Sequence, residues 1–280
     1  MTAADSDTRT AAQVTGRLGR GVSLAVLVVG AVAAAVSVTT PPRSGPFCRS
    51  ACLTFPYLGA DAFVPRDYWW MYPQSLLVLL GLVLLVCVRH ALPSDVGVLG
   101  AVGVALWGVG TAVLLADYAV QLAVVQPSLL RGGGVQVAPL TQYDPAGVFI
   151  GLEDVGYLLL GLALVPVAAA FRGRRHRERA LRWLLAAAGG TTVALLPVLA
   201  VAYGADLAYR YEVAAIALVW VGLLTGAVLL LGWFGRPAVA GPSPGDAGRG
   251  LGPQRDRPPQ PGAALGTRVQ GEVAPELGGP

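Results

Sequence analysis

Lysine and asparagine do not occur in this sequence, and isoleucine occurs only at Ile150 and Ile216. All twenty basic residues are arginine. Because these missing or rare residues share A/T-rich codons, the bias indicates a GC-rich bacterial genome. It does not indicate a function that needs the forked arginine side chain at every basic position. The three cysteines are too few for a disulfide framework or a cysteine-based zinc site.

Charged residues are also scarce. They make up 13% of the chain, whereas soluble domains carry roughly 25%. Hydrophobic residues reach 55%, and six stretches of about twenty residues are almost free of charge. Each stretch is about long enough to cross a ~30 Å hydrocarbon core as a helix, which satisfies its backbone polar groups internally. We therefore predict an all-α, polytopic membrane bundle of six transmembrane helices.

The predicted segments are an N-terminal tail (1–20), a membrane domain (21–235) and a C-terminal tail (236–280). In the last segment 19 of 45 residues are Gly or Pro, so we expect it to be disordered. An alternative interpretation makes the first span a signal peptide that is cleaved near its small residues. The predicted spans are 21–42, 73–88, 96–116 (with an extension towards Gln126), 146–171, 183–203 and 213–235.

The distribution of arginine predicts the orientation. The two tails and the connections after the second and fourth spans carry fifteen arginines, and the other connections carry five. Since basic residues near span ends remain in the cytoplasm, we expect both termini there, in the plasma membrane. Removal of the first span would leave the orientation of the others unchanged. We expect no nucleic-acid partner, because the positive charge is explained by topology. The arginines expected at anionic lipid headgroups are Arg172, Arg174, Arg175, Arg177, Arg179 and Arg182.

The first long connection carries two features of interest. Its aromatic end, residues 67–73, is typical of a segment anchored at the membrane–water boundary. Cys48 and Cys52, predicted on the oxidising side, form a disulfide if their segment makes a helical turn. The other interpretation leaves them as two free thiols.

Polar residues within the spans are the candidates for function. The charged ones are Asp117, Glu153, Asp154, Asp206, Arg210 and Glu212. Helix lengths place them near the outer boundary, with Glu153 and Asp154 somewhat deeper. One interpretation is an acidic cavity that binds a solute or cation. The other is solvated helix ends, with Asp206 and Arg210 as an ordinary pair. The predicted solute- or cation-binding residues are Asp117, Gln121, Glu153, Asp154, Tyr157, Asp206 and Arg210.

One pattern argues against a single packed site. Small residues on the third span form a stripe typical of close helix packing, and Asp117 lies roughly half a turn away from it. We therefore expect Asp117 to contact a second neighbour or interfacial water. The stripe consists of Gly97, Ala101, Ala105, Gly108 and Ala112.

The residues 126–131 and 143–157, from Gln126-Pro127-Ser128 to Glu153-Asp154-Val155-Gly156-Tyr157, resemble a stretch of uncharacterised bacterial multi-spanning membrane proteins. The resemblance covers the third and fourth spans and implies no activity. It gives more weight to Glu153 and to the loop before it.

Three functions remain open at this point. The first is binding, sensing or passing a small solute or cation from the outer face. The second is a non-catalytic assembly subunit that recruits partners through its long loop and tail. An intramembrane enzyme comes third, because no nucleophile–base pair or metal cluster is evident, and we expect no cofactor or bound metal.

Overall fold

The computed structural model describes residues 3–173 and 175–235. Arg174 and the predicted disordered tail lie outside the described residues. Within them all regular secondary structure is helical, and six helices are long and apolar enough to cross a membrane. The six are α1 Ala3–Val38, α2 Met71–Ala91, α3 Gly97–Val120, α4 Val148–Ala170, α5 His176–Tyr203 and α6 Ala208–Phe234. The fold class is therefore an all-α helical bundle.

Several helices are longer than the predicted spans. The first begins at Ala3 instead of residue 21, because the preceding segment is rich in alanine and carries no proline. It ends at Val38 instead of residue 42, since Pro41 and Pro42 disfavour helical backbone just before them. The basic stretch before the fifth span is also helical from His176, consistent with the good helix propensity of arginine.

The third helix continues beyond residue 116, in the direction that its apolar pattern predicts. A π-helical turn, Gln121–Val125, follows α3 and leads into a last helical segment, Gln126–Leu130. The wider turn changes which side chains face the bundle. Such turns occur frequently at functional sites.

Helix α4 lies at the centre of the bundle, in contact with α3, α5 and α6. The remaining contacts join α1 to α2 and α6, α2 to α3, and α5 to α6. Glycines allow the closest approach. A Cβ atom added at Gly110 of α3 would lie 3.0 Å from the Gly156 carbonyl oxygen of α4, and one at Gly156 would lie 2.5 Å from Leu114.

The two ends of the bundle differ. We call the end that carries the long connections 39–70 and 131–147 the loop end. The opposite end, which carries the short connections 92–96 and 171–175, is the arginine end. There Arg172, which we expected at lipid headgroups, forms an ion pair with Asp95 across the two short connections.

In the first long connection, Cys48 and Cys52 form a disulfide with their Cα atoms 5.8 Å apart. The segment between them is not the helical turn on which the predicted disulfide depended. The chain instead bends at Ala51, whose φ of 52° is left-handed. In the aromatic segment, Trp69 and Tyr72 are exposed, as an anchor at the membrane boundary requires, whereas Tyr68 is fully buried.

Candidate functional site

Four carboxyl groups converge between three helices near the loop end. Asp117 comes from α3, Glu153 and Asp154 from α4, and Glu212 from α6. The Glu153 and Glu212 carboxyl groups are in hydrogen-bonding contact, and those of Asp117 and Asp154 lie within electrostatic range of Glu153. We call these four residues the carboxyl cluster.

Burial of the carboxyl cluster is deep. The exposed fraction is 0% for Glu153, 1% for Asp117 and 7% for Glu212, and Asp154 is half-buried. Charged residues are almost never fully buried unless they are paired. In the part of the chain that the structure describes, no arginine or histidine forms an ion pair with any of the four.

The position of Asp117 corrects the expected stripe on the third span. Ala101, Ala105 and Ala112 of that stripe are exposed. The face that packs into the bundle instead contains Gly103, Trp107, Gly110, Leu114 and Asp117. Asp117 therefore lies on the packing face of α3, and the argument against a single packed site is wrong.

Hydrogen bonds satisfy only part of the carboxyl cluster. The Tyr118 hydroxyl donates to Glu153 Oε1 at 2.7 Å. No donor among the described residues reaches the buried oxygens Asp117 Oδ2, Glu153 Oε2, Asp154 Oδ1 and Glu212 Oε2. Ionised carboxylates only accept hydrogen bonds, so two of them cannot bond to each other without a proton.

A line of polar groups continues from Glu153 towards the middle of the bundle. The hydroxyls of Tyr118 and Tyr157 are 3.5 Å apart, and Gln74 Nε2 donates to the Tyr157 hydroxyl at 2.5 Å. One turn further along α2, the Val78 carbonyl accepts from Trp107 Nε1 at 3.1 Å. Tyr157 is therefore part of this line. It lies four residues after Glu153 on the same face of α4, as the sequence predicted.

Aromatic rings and a loop cover the cluster on the side of the loop end. Trp70 packs edge-on against Tyr118 and Phe149, with ring centroids 5.5 and 6.3 Å apart. The indole Nε1 of Trp70 donates to Gln142 Oε1 at 3.4 Å. This links the cover to the connection 131–147.

Gln121 fastens the same connection to the end of α3. Its Nε2 donates to the Leu140 carbonyl at 2.5 Å, and its Oε1 accepts from the Gln142 backbone N–H at 3.3 Å. The side chain is fully buried. Gln121 thus positions a loop, and its polar atoms are occupied by that loop instead of facing the carboxyl cluster as we predicted.

Asp67 joins the two long connections. It pairs with Arg43 Nε at 3.0 Å and accepts from the Tyr143 hydroxyl at 3.4 Å. Burial raises the pKa of Tyr143, so this phenol keeps its proton and remains a donor. A second link runs from the Tyr57 hydroxyl to Asp144 Oδ1 at 3.3 Å, where burial and the Asp144 charge raise the Tyr57 pKa to about 12.

Two of the predicted site residues lie apart from the cluster. Asp206 is exposed in the connection between α5 and α6. Arg210 stacks its guanidinium over the Tyr203 ring, 4.3 Å from the centroid. Among the described residues no ion pair joins Asp206 to Arg210, so the ordinary pair that we expected does not form.

Glu212 belongs to the cluster, although the sequence analysis left it out of the predicted site. It begins the buried repeat of α6 that continues at Ala215, Val219 and Leu223. Spacings of three and four residues place these side chains on one helical face. That periodicity was the available signal. It was missed because Glu212 lies at the start of its span.

The described residues hold no group of three or more His, Cys, Asp or Glu side chains arranged to bind a metal ion. The space between Gln74, Tyr157 and Trp220 is too narrow for a water molecule. A deeper cavity of about 30 Å³ is lined by apolar side chains and glycines from α2 to α6.

Comparison with known proteins found no relative. No family model, no curated protein and no solved structure matches the chain.

Proposed function

We propose that this protein is a multi-pass membrane protein that binds a proton, the smallest cation, at the carboxyl cluster. Through this binding it senses the pH at its loop end. In this proposal the loop end lies outside a bacterial plasma membrane and the arginine end lies in the cytoplasm. The arginine distribution supports that orientation. The six long apolar helices support the multi-pass placement.

The observation that carries the proposal is the burial of Glu153 and Glu212 next to each other, each with a carboxyl oxygen that no donor among the described residues reaches. Two ionised carboxylates about 4 Å apart repel by about 4 kcal/mol at an effective dielectric constant of about 20. Removal from water adds a further cost for each charge. A proton shared by the pair removes the repulsion and supplies the hydrogen bond that the contact requires.

A proton fits the site better than a larger cation does. The narrow space next to it, between Gln74, Tyr157 and Trp220, does not admit water. A metal ion would need several oxygen ligands around it, and the described residues hold no group of three or more His, Cys, Asp or Glu side chains arranged for one. Sensing is therefore favoured over the passage of a solute through this site.

The test compares thermal stability across pH in lipid nanodiscs. Because the folded pair retains a proton that glutamate residues of the unfolded chain lose above about pH 4.3, the stability of the wild type should fall as pH rises from there through neutrality. Glu153→Gln replaces one acid by a neutral amide that can donate to Glu212. This variant should lose most of the pH dependence.

Asp206→Asn is the matched control, since it removes an exposed carboxyl at the same end of the bundle. It should retain the wild-type dependence on pH. An unchanged dependence in Glu153→Gln would show that the pair holds no proton and would overturn the proposal.

A further inference from the structure

We infer that protons enter the carboxyl cluster from the loop end at Asp154, its half-buried member, and pass from there to the three buried members. Their path stops in the middle of the bundle. The protein then binds protons from one side without conducting them. This inference rests on the proposed function and adds the entry residue and the direction of access.

Asp154 differs from its neighbours in the cluster because it is half-buried while Glu153, beside it, is fully buried. One of its oxygens, Oδ1, is buried without a donor among the described residues, and its charge interacts with Glu153. A carboxyl group that lies partly at the surface and partly against a buried acid can pass a proton between them.

The helix geometry explains why Asp154 is accessible. Seven residues further along α4, Gly161 packs against α5, where an added Cβ would lie 2.6 Å from Thr192. Since seven residues make almost two full turns, Asp154 lies on the same α5-facing side of α4, nearer to the loop end.

Helix α5 covers that side of α4 only in part. Its buried residues end at Thr192, and from Val193 to Tyr203 none is fully buried. Pro197 falls within this segment. The loop-end half of α5 therefore leaves Asp154 partly uncovered, about 9 Å from the start of α4 at about 1.5 Å per residue.

Beyond Asp154, unpartnered buried oxygens of Glu153, Glu212 and Asp117 provide the binding site. The titratable and charged groups that face it come from α3, α4 and α6. They are Tyr118, Tyr157, Tyr209 and Tyr211, whereas Arg210 lies apart over the Tyr203 ring.

The path from the cluster ends at the Val78 carbonyl. Tyr157 and Gln74 continue the line of polar groups, and Trp107 and Thr111 both donate to Val78 O. Further towards the arginine end lies the cavity of about 30 Å³, whose lining consists of apolar side chains and glycines. Cavities of this kind remain dry, so no chain of water or side chains carries a proton onward.

Proton uptake after a rapid drop in pH, followed with an indicator dye in nanodiscs, tests the entry residue. Asp154→Asn should slow uptake about 10²-fold, the size of effect typical of a positioned proton-transfer group. Asp154→Glu should restore the rate, and Asp206→Asn should leave it unchanged. A wild-type rate in folded Asp154→Asn would overturn the entry route.

Proton flux tests the closed end of the path. Vesicles that contain the protein and an internal pH indicator are given a pH gradient and a membrane potential. The expected flux equals that of empty vesicles. A flux that Glu153→Gln abolishes would contradict the closed path. If instead the wild type and Glu153→Gln take up equal amounts of proton in the nanodisc assay, the proposed function fails, whatever the rate through Asp154.

Discussion

Replacement of Tyr118 by phenylalanine removes the hydroxyl that donates to the buried carboxyl of Glu153. The ring remains, so the packing against Trp70 and Phe149 is kept. A buried hydrogen bond to a charged group contributes about 1.5–3 kcal/mol, whereas one between neutral groups contributes about 1 kcal/mol. In the proposed function the Glu153–Glu212 pair carries one negative charge beside its proton, so we expect Tyr118→Phe to lower the free energy of unfolding by about 1.5–3 kcal/mol.

The assay is reversible denaturant unfolding in lipid–detergent bicelles at neutral pH. Tyr72→Phe is the matched control, because Tyr72 is an exposed tyrosine at the loop end and its loss should change the free energy of unfolding little. Equal losses for the two variants would mean that the Tyr118 hydroxyl does not support the carboxyl.

A double-mutant cycle separates this hydrogen bond from other effects of the substitution. In a Glu153→Gln background the Tyr118 hydroxyl has lost its charged acceptor, so Tyr118→Phe should cost about 1 kcal/mol less than in the wild type. If the cost is the same in both backgrounds, the two side chains are not coupled and the reasoning is refuted.

Two further predictions concern packing and the loop. Gly156→Ala should destabilise the bundle by about 1–3 kcal/mol, because the new methyl group would clash with Leu114. Gly151→Ala on the same helix should not, because its methyl group would have no neighbour within 4 Å. Equal unfolding midpoints for the two variants would contradict this prediction. Gln121→Ala should release the connection 131–147 and so speed tryptic cleavage after Arg131. Gln136→Ala, at an exposed position of the same connection, should not change the rate of cleavage. The same rate in both variants would show that Gln121 does not hold the loop.

Much of the fold follows from local sequence. Length and apolarity identify all six spans, and Pro41 and Pro93 lie just beyond the ends of α1 and α2. The true starts of α1 and α5 were missed, because polar residues such as Arg177 extend a helix beyond its apolar part. Hydropathy marks where a helix meets lipid, and it does not mark where helical hydrogen bonding begins.

The carboxyl cluster was only half predictable. Glu153 and Asp154 stand out because charge within a span is costly. The prediction of the packing face of α3 was wrong, because small residues occur both where helices pack closely and on a lipid-facing surface. On this helix the bulky Trp107, one turn from Gly103, distinguishes the packing face from the exposed one. The fastening of Gln121 to Leu140 depends on a loop conformation that no periodic pattern encodes.

Infrared spectroscopy of the membrane-reconstituted protein tests the central claim most directly, because a protonated carboxyl group has a stretching band distinct from that of a carboxylate. At neutral pH the wild type should show a protonated carboxyl band that shifts to slightly lower frequency in deuterated water, because the bound proton exchanges with the solution at the loop end. Glu153→Gln and Glu212→Gln should each remove it, and Asp206→Asn should leave it in place. A wild-type spectrum without this band, or a band that both glutamine variants retain, would contradict a proton shared by Glu153 and Glu212.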